Sequence, residues 1–109
     1  MQLLLALTIL SLTTLSATAL AAGDAQGGKA VYDSKCKTCH GAKGEGNPAI
    51  AKLMKVTLRE LGSKEVQSKS DEELGKSVTV GTGKMKPITG LSDEQVQNVV
   101  AFLRSLAKS

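Results

Sequence analysis

The run Cys36-Lys37-Thr38-Cys39-His40 collects into five positions the only two cysteines and the only histidine of a 109-residue chain. Thiols three residues apart on one helical turn can each add to a vinyl group of haem, and the next residue then presents its imidazole to the iron. Three other uses compete for the same residues. Zinc wants four ligands, and here a fourth would have to be a distant carboxylate. A thioredoxin-like redox pair follows a strand in a βαβ unit, and no strand pattern precedes Cys36. A plain Cys36–Cys39 disulfide suits an oxidising compartment but leaves the position of His40 unexplained. The motif therefore predicts one covalent haem c, held by Cys36 and Cys39 with His40 as proximal ligand.

Haem iron in a carrier takes a second axial ligand. A bis-His centre is impossible within a chain that has one histidine, so the candidates are Met1, Met54 and Met85. Met1 lies in a leading segment expected to be removed. Met54 stands at helical spacing with Ile50 and Leu53, which is how a core methionine looks. Met85 lies in Gly81-Thr82-Gly83-Lys84-Met85-Lys86-Pro87, a Gly- and Pro-punctuated loop where a thioether has no core of its own. Met85 is the expected distal ligand. A His/Met pair fills both axial positions and raises the reduction potential, which points to one-electron transfer rather than enzymatic turnover.

Around the motif the periodicity is helical. Ser92-Asp93-Glu94-Gln95 is a capping box, and Val96, Val99, Val100, Leu103 and Leu106 follow as one apolar stripe on a helix over about 93–107, with Phe102 at its edge. Ser70-Asp71-Glu72-Glu73 opens a second helix through Leu74 and Val78 that stops at Gly81. Asn47-Pro48 starts a short helix with Ile50, Leu53 and Met54 on its buried side. Gly28, Val31, Tyr32 and Cys36 share a helical face. No segment alternates as a strand, so the fold class is all-α. With Tyr32, Phe102 and no Trp, the domain is too poor in aromatics to fill its own centre, and a cofactor is the expected filling.

Every charge of the chain lies at or beyond Asp24. Residues 1–22 read as a secretory signal, with an apolar run from Leu3 to Leu10 and a small-residue cleavage site before Gly23. An uncleaved membrane anchor is the competing reading, because 23 uncharged residues could cross a bilayer. Ser11, Thr13, Thr14, Ser16 and Thr18 dilute the second half and favour cleavage. Residues 23–109 are then one exported domain that keeps the whole net charge of +4. Its expected location is the periplasm, with no stable membrane insertion after cleavage.

The mature chain resembles a small monohaem class I cytochrome c of bacterial type, on Gly28, Tyr32 and Cys36 in the first helix, the Cys36–His40 motif, Met85 before the last helix, and Val99, Val100, Phe102 and Leu103 within it. The resemblance implies terminal helices that cross at Gly28, where a missing Cβ permits close approach. It also implies a Pro48 carbonyl that accepts a hydrogen bond from the proximal imidazole; Pro48 as the first residue of a helix is the rival role. The family's loop often reads Met-Pro, whereas this one reads Met85-Lys86-Pro87. Lys35, Lys37, Lys43, Lys84 and Lys86 lie near the motif and the loop, and in the resembled fold these segments border the exposed haem edge. A monomeric carrier docking on acidic redox proteins, and not on nucleic acid, is the expectation. A haem enzyme or gas sensor with an open distal site, or a dedicated haem subunit of a membrane complex, are the alternatives. Arg59 and the neighbouring lysines are candidates for binding the haem propionates.

Overall fold

Polar side chains start most of the helices in this protein, whose computed structural model describes residues 23–108. The expected signal segment, 1–22, lies outside the described residues. Asp24 caps α1 (Ala25–Lys35) by accepting from the Gln26 and Gly27 amides. Cys36 ends that helix, and α2 (Lys37–His40) continues as a single turn without a side-chain cap. Asn47 caps α3 (Pro48–Met54), which has Pro at its first position. Ser63 caps α4 (Lys64–Gln67), Ser70 caps α5 (Asp71–Thr79) and Ser92 caps α6 (Asp93–Ser105). Both arms of the expected capping box form at Ser92 and Gln95. At Ser70 only the hydroxyl arm, from the Glu73 amide, forms. No strand is present among the described residues, and the fold is all-α.

The core lies where α6 crosses α1 and runs beside α5. Tyr32, Val78, Val99, Phe102 and Leu103 form one buried cluster, and Val66, Leu74 and Val100 form a second; Leu61 packs on both. Phe102 is central rather than at the edge, because its ring meets Tyr32 at a centroid distance of 4.8 Å and a tilt of 47°. The crossing needs a glycine: a Cβ on Gly28 would stand 1.8 Å from the Asn98 carbonyl oxygen. The Asn98 side chain also accepts from the Asp24 amide at 2.8 Å, which ties the start of α1 to α6. At the other end of α6, the Arg104 guanidinium donates to the carbonyls of Gln67 (2.8 Å) and Lys69 (2.6 Å) and to Asp71 (2.9 Å). One planar side chain thus fastens the α4–α5 connection to α6.

One expectation changes and one element is added. No residue of α3 is buried: Ile50 is half-buried, Met54 is 38% exposed and Leu53 is 77% exposed. The cap at Asn47 and the left-handed turn at Lys55 fix the two ends of α3. The four-residue α4 was not anticipated, because its only local signal is the Ser63 cap ahead of the buried Val66.

Candidate functional site

The turn that carries the motif is fixed at both ends. Its entry is Cys36, whose amide donates to the Tyr32 carbonyl (2.8 Å) and whose carbonyl accepts from the Cys39 (3.2 Å) and His40 (3.0 Å) amides. Its exit is Gly41, at φ +82°, which turns the chain away from the helix. The last carbonyls of α2 would otherwise be orphaned, and the returning loop satisfies them. The Gly46 amide donates to His40 (2.6 Å), the Asn47 amide to Cys39 (2.9 Å) and the Asn47 side-chain amide to Thr38 (3.2 Å). The Asn47 side-chain Oδ1 simultaneously accepts from the Ala49 (3.0 Å) and Ile50 (3.4 Å) amides. Asn47 therefore joins the end of the motif to the start of α3, a role that sequence shows only in part, as the cap.

Tyr32 adds a tie from the core. Its hydroxyl donates to the Gly41 carbonyl at 2.5 Å, next to His40, and burial pushes its pKa up to about 12. Glu45 folds its carboxylate over Gly41 and accepts from the Lys43 amide at 2.8 Å; backbone donors hold its pKa below the usual carboxylate range. The Leu61 amide donates to the Gly44 carbonyl at 2.9 Å, bracing the loop against the core cluster. Nothing in the sequence pattern marks Gly44 or Leu61 for this contact.

Cys36, the N-cap of α2, and Cys39, within it, are half-buried free thiols on one turn. Burial, and then the neighbouring Cys39, push the Cys36 thiol up to about 11. His40 is half-buried, burial lowers its pKa, and its Nδ1 is buried without a hydrogen-bond partner. A neutral imidazole with an unclaimed buried nitrogen is the form in which histidine binds a metal, so these residues fit a haem. They do not fit zinc: among the described residues no group of three or more His, Cys, Asp or Glu could hold a metal ion. Pro48 occupies the first position of α3.

The distal candidate stands on the loop after α5. Met85 is half-buried, and its backbone exchanges two hydrogen bonds with Thr82, at 3.0 and 2.9 Å. Lys35, Lys37, Lys43, Lys84 and Lys86 are all exposed. Arg59 pairs with Glu65 at 3.0 Å.

The Cytochrome c family model matches residues 25–107, nearly all of the described chain. The chain belongs to the cytochrome c family. It is 34% identical over 91 residues to cytochrome c-554(547) of Halothiobacillus neapolitanus, a match that covers 78% of this chain and 99% of that protein. It is 33% identical over 90 residues to cytochrome c6 of Rippkaea orientalis (strain PCC 8801 / RF-1), covering 81% of this chain and 76% of that one. Among solved structures it is similar to the KustC0563 c-type cytochrome, with a TM-score of 0.65 and 31% identity over 74% of this chain and 98% of that chain. This cytochrome is thus a small class I member with one covalently bound haem c, a haem-based electron carrier. No helix among its described residues is long and apolar enough to cross a membrane.

Proposed function

We propose that this cytochrome is an exported, monomeric, periplasmic one-electron carrier in which Cys36 and Cys39 attach the haem and His40 and Met85 ligate its iron. The observation that carries the reading is the buried, unpartnered ring nitrogen of His40, one residue beyond a pair of free thiols on the same turn. Haem, when bound, supplies a single reversible electron at the iron. The chain does the rest. The α2 turn presents the thiols and the imidazole from one rigid element, because its terminal carbonyls are tied by Gly46 and Asn47. Desolvation keeps the His40 ring neutral. Met85 would supply the second ligand beside His40, a pair that would disfavour substrate chemistry at the iron and raise its potential. The exposed lysines at positions 35, 37, 43, 84 and 86 give an acidic redox partner a cationic rim to approach. Residues 1–22 act as the signal that delivers the chain.

Absorption spectra of holoprotein made with c-type maturation test the ligand set. A sulfur-to-ferric-iron charge-transfer band is expected in the parent and absent in Met85→Ala, which also has a lower potential. Met54→Ala retains the band. Haem is expected to remain with the polypeptide on a denaturing gel and to be lost from the Cys36→Ala/Cys39→Ala double variant. The opposite behaviour of the two methionines would move the distal ligand to Met54.

A further inference from the structure

The loop bearing Met85 is closed in three ways. The paired Thr82 and Met85 hydrogen bonds make residues 82–85 a tight turn, with Gly83 at φ +55°. Behind the turn, the Ile88 amide donates to the Val78 carbonyl at 2.8 Å, and Gly81 lies under the Met85 carbonyl, where a Cβ would come within 2.5 Å. Those two ties join the loop to α5 and to itself. The third leaves its neighbourhood: the Lys84 ammonium donates to the Met54 carbonyl at 2.9 Å, thirty residues earlier in the chain.

The acceptor is available for a structural reason. Met54 is the last residue of α3, and Lys55, which follows it, has φ +56° and is the one non-glycine residue with positive φ among those described. The amides of Lys55 and Val56 turn back to Ala51 and Lys52, so the Met54 carbonyl is one of the orphans that every helix end leaves. A cationic donor meets it there. Lys86, on the other side of Met85, is exposed and carries the same charge, yet has no hydrogen bond or ion pair among the described residues. The two lysines beside Met85 are alike in sequence and differ in structure.

We propose that Lys84 is a positioning residue, whose ammonium straps the Met85 loop to the end of α3 and so sets how readily the Met85 sulfur leaves the iron. The inference rests on Met85 as distal ligand. A thioether is a weak ligand on a short loop, so its release follows the opening of that loop, and the strap is the one hydrogen bond that joins residues 82–86 to the chain before α5 among the described residues. Lys84 acts through geometry and does not touch the iron.

The test is imidazole exchange into the ferric holoprotein, using a neutral probe so that loss of a positive charge does not alter its approach. At saturating imidazole, decay of the charge-transfer band reports release of the sulfur. Lys84→Ala is expected to release about two- to ten-fold faster than the parent, the range that the net strength of one hydrogen bond corresponds to. Lys84→Arg keeps a long cationic donor and is expected to stay within about two-fold of the parent, as is Lys86→Ala, which removes the same charge without removing a bond. Amide hydrogen exchange at Met85 is expected to quicken in Lys84→Ala alone. Equal rates for the two alanine variants, or no rescue by arginine, would overturn the strap while leaving Met85 as ligand. A charge-transfer band that survives Met85→Ala would overturn the ligation and the strap together.

Discussion

Tyr32 illustrates how one side chain can serve both stability and the site. Its ring fills the centre of the core and its hydroxyl reaches the Gly41 carbonyl beside His40. Tyr32→Phe keeps the ring and leaves that carbonyl without its donor, so a loss of about 1 kcal/mol is expected at neutral pH. Alkali supplies the sign. The phenol ionises near 10.0 in the unfolded chain and at about 12 in the folded one. Between those values the folded state binds more protons, so this contribution is complete below pH 10 and is lost as pH rises toward 12. Denaturant unfolding at a series of pH values should show the gap between parent and Tyr32→Phe narrowing across that window. A constant gap would mean that the hydroxyl is not desolvated. From sequence, Tyr32 is legible as a core aromatic by its spacing to Gly28 and Cys36. Its acceptor is not, because Gly41 reaches the hydroxyl only through the left-handed turn that ends α2.

At the scale of elements, caps and periodicity carry most of what a reader of the sequence can see. Ser70 and Ser92 announce α5 and α6, since a hydroxyl followed three residues later by an acid or amide has one economical use. At α3 the spacing of Ile50, Leu53 and Met54 is real, but periodicity reports only which residues share a side and not what covers it. Glycines can be sorted the same way once the packing is known. Gly28→Ala forces a Cβ to 1.8 Å from a backbone oxygen of Asn98, so α1 and α6 must separate, and a loss of about 1–3 kcal/mol or more is expected. Gly75→Ala, inside α5, meets only Val96 Cγ1 at an ordinary 3.5 Å and should gain about 0.5–1 kcal/mol from backbone entropy. Thermal unfolding of the two variants, identical in chemistry and opposite in sign, checks that the terminal-helix crossing is a steric contact between backbones.

Over the whole molecule, charge decides how an encounter begins. The net charge of +4 is spread along the domain, but Lys37, Lys43 and Lys86 stand exposed on the motif and Met85 segments, whereas Lys108 is paired with Glu60 at 2.6 Å. Electron transfer to an acidic partner should therefore slow as salt rises toward physiological strength, where screening acts within about 8–10 Å. Reversing Lys37, Lys43 and Lys86 together should slow it more than reversing Lys64, Lys69 and Lys108, as measured by stopped-flow association rates. Equal rates for both triple variants would place the encounter elsewhere. The crossing of α1 over α6 has a consequence for wiring this protein to a surface. Gly23 is seated against the Gln97 carbonyl so closely that a Cβ would come within 2.2 Å, and α1 then runs eleven residues before Cys36. A linker joined ahead of Gly23 leaves the domain about 16 Å of helix away from the thiols. An electrode or resin coupled there holds the cytochrome by its far end, provided the glycine is kept.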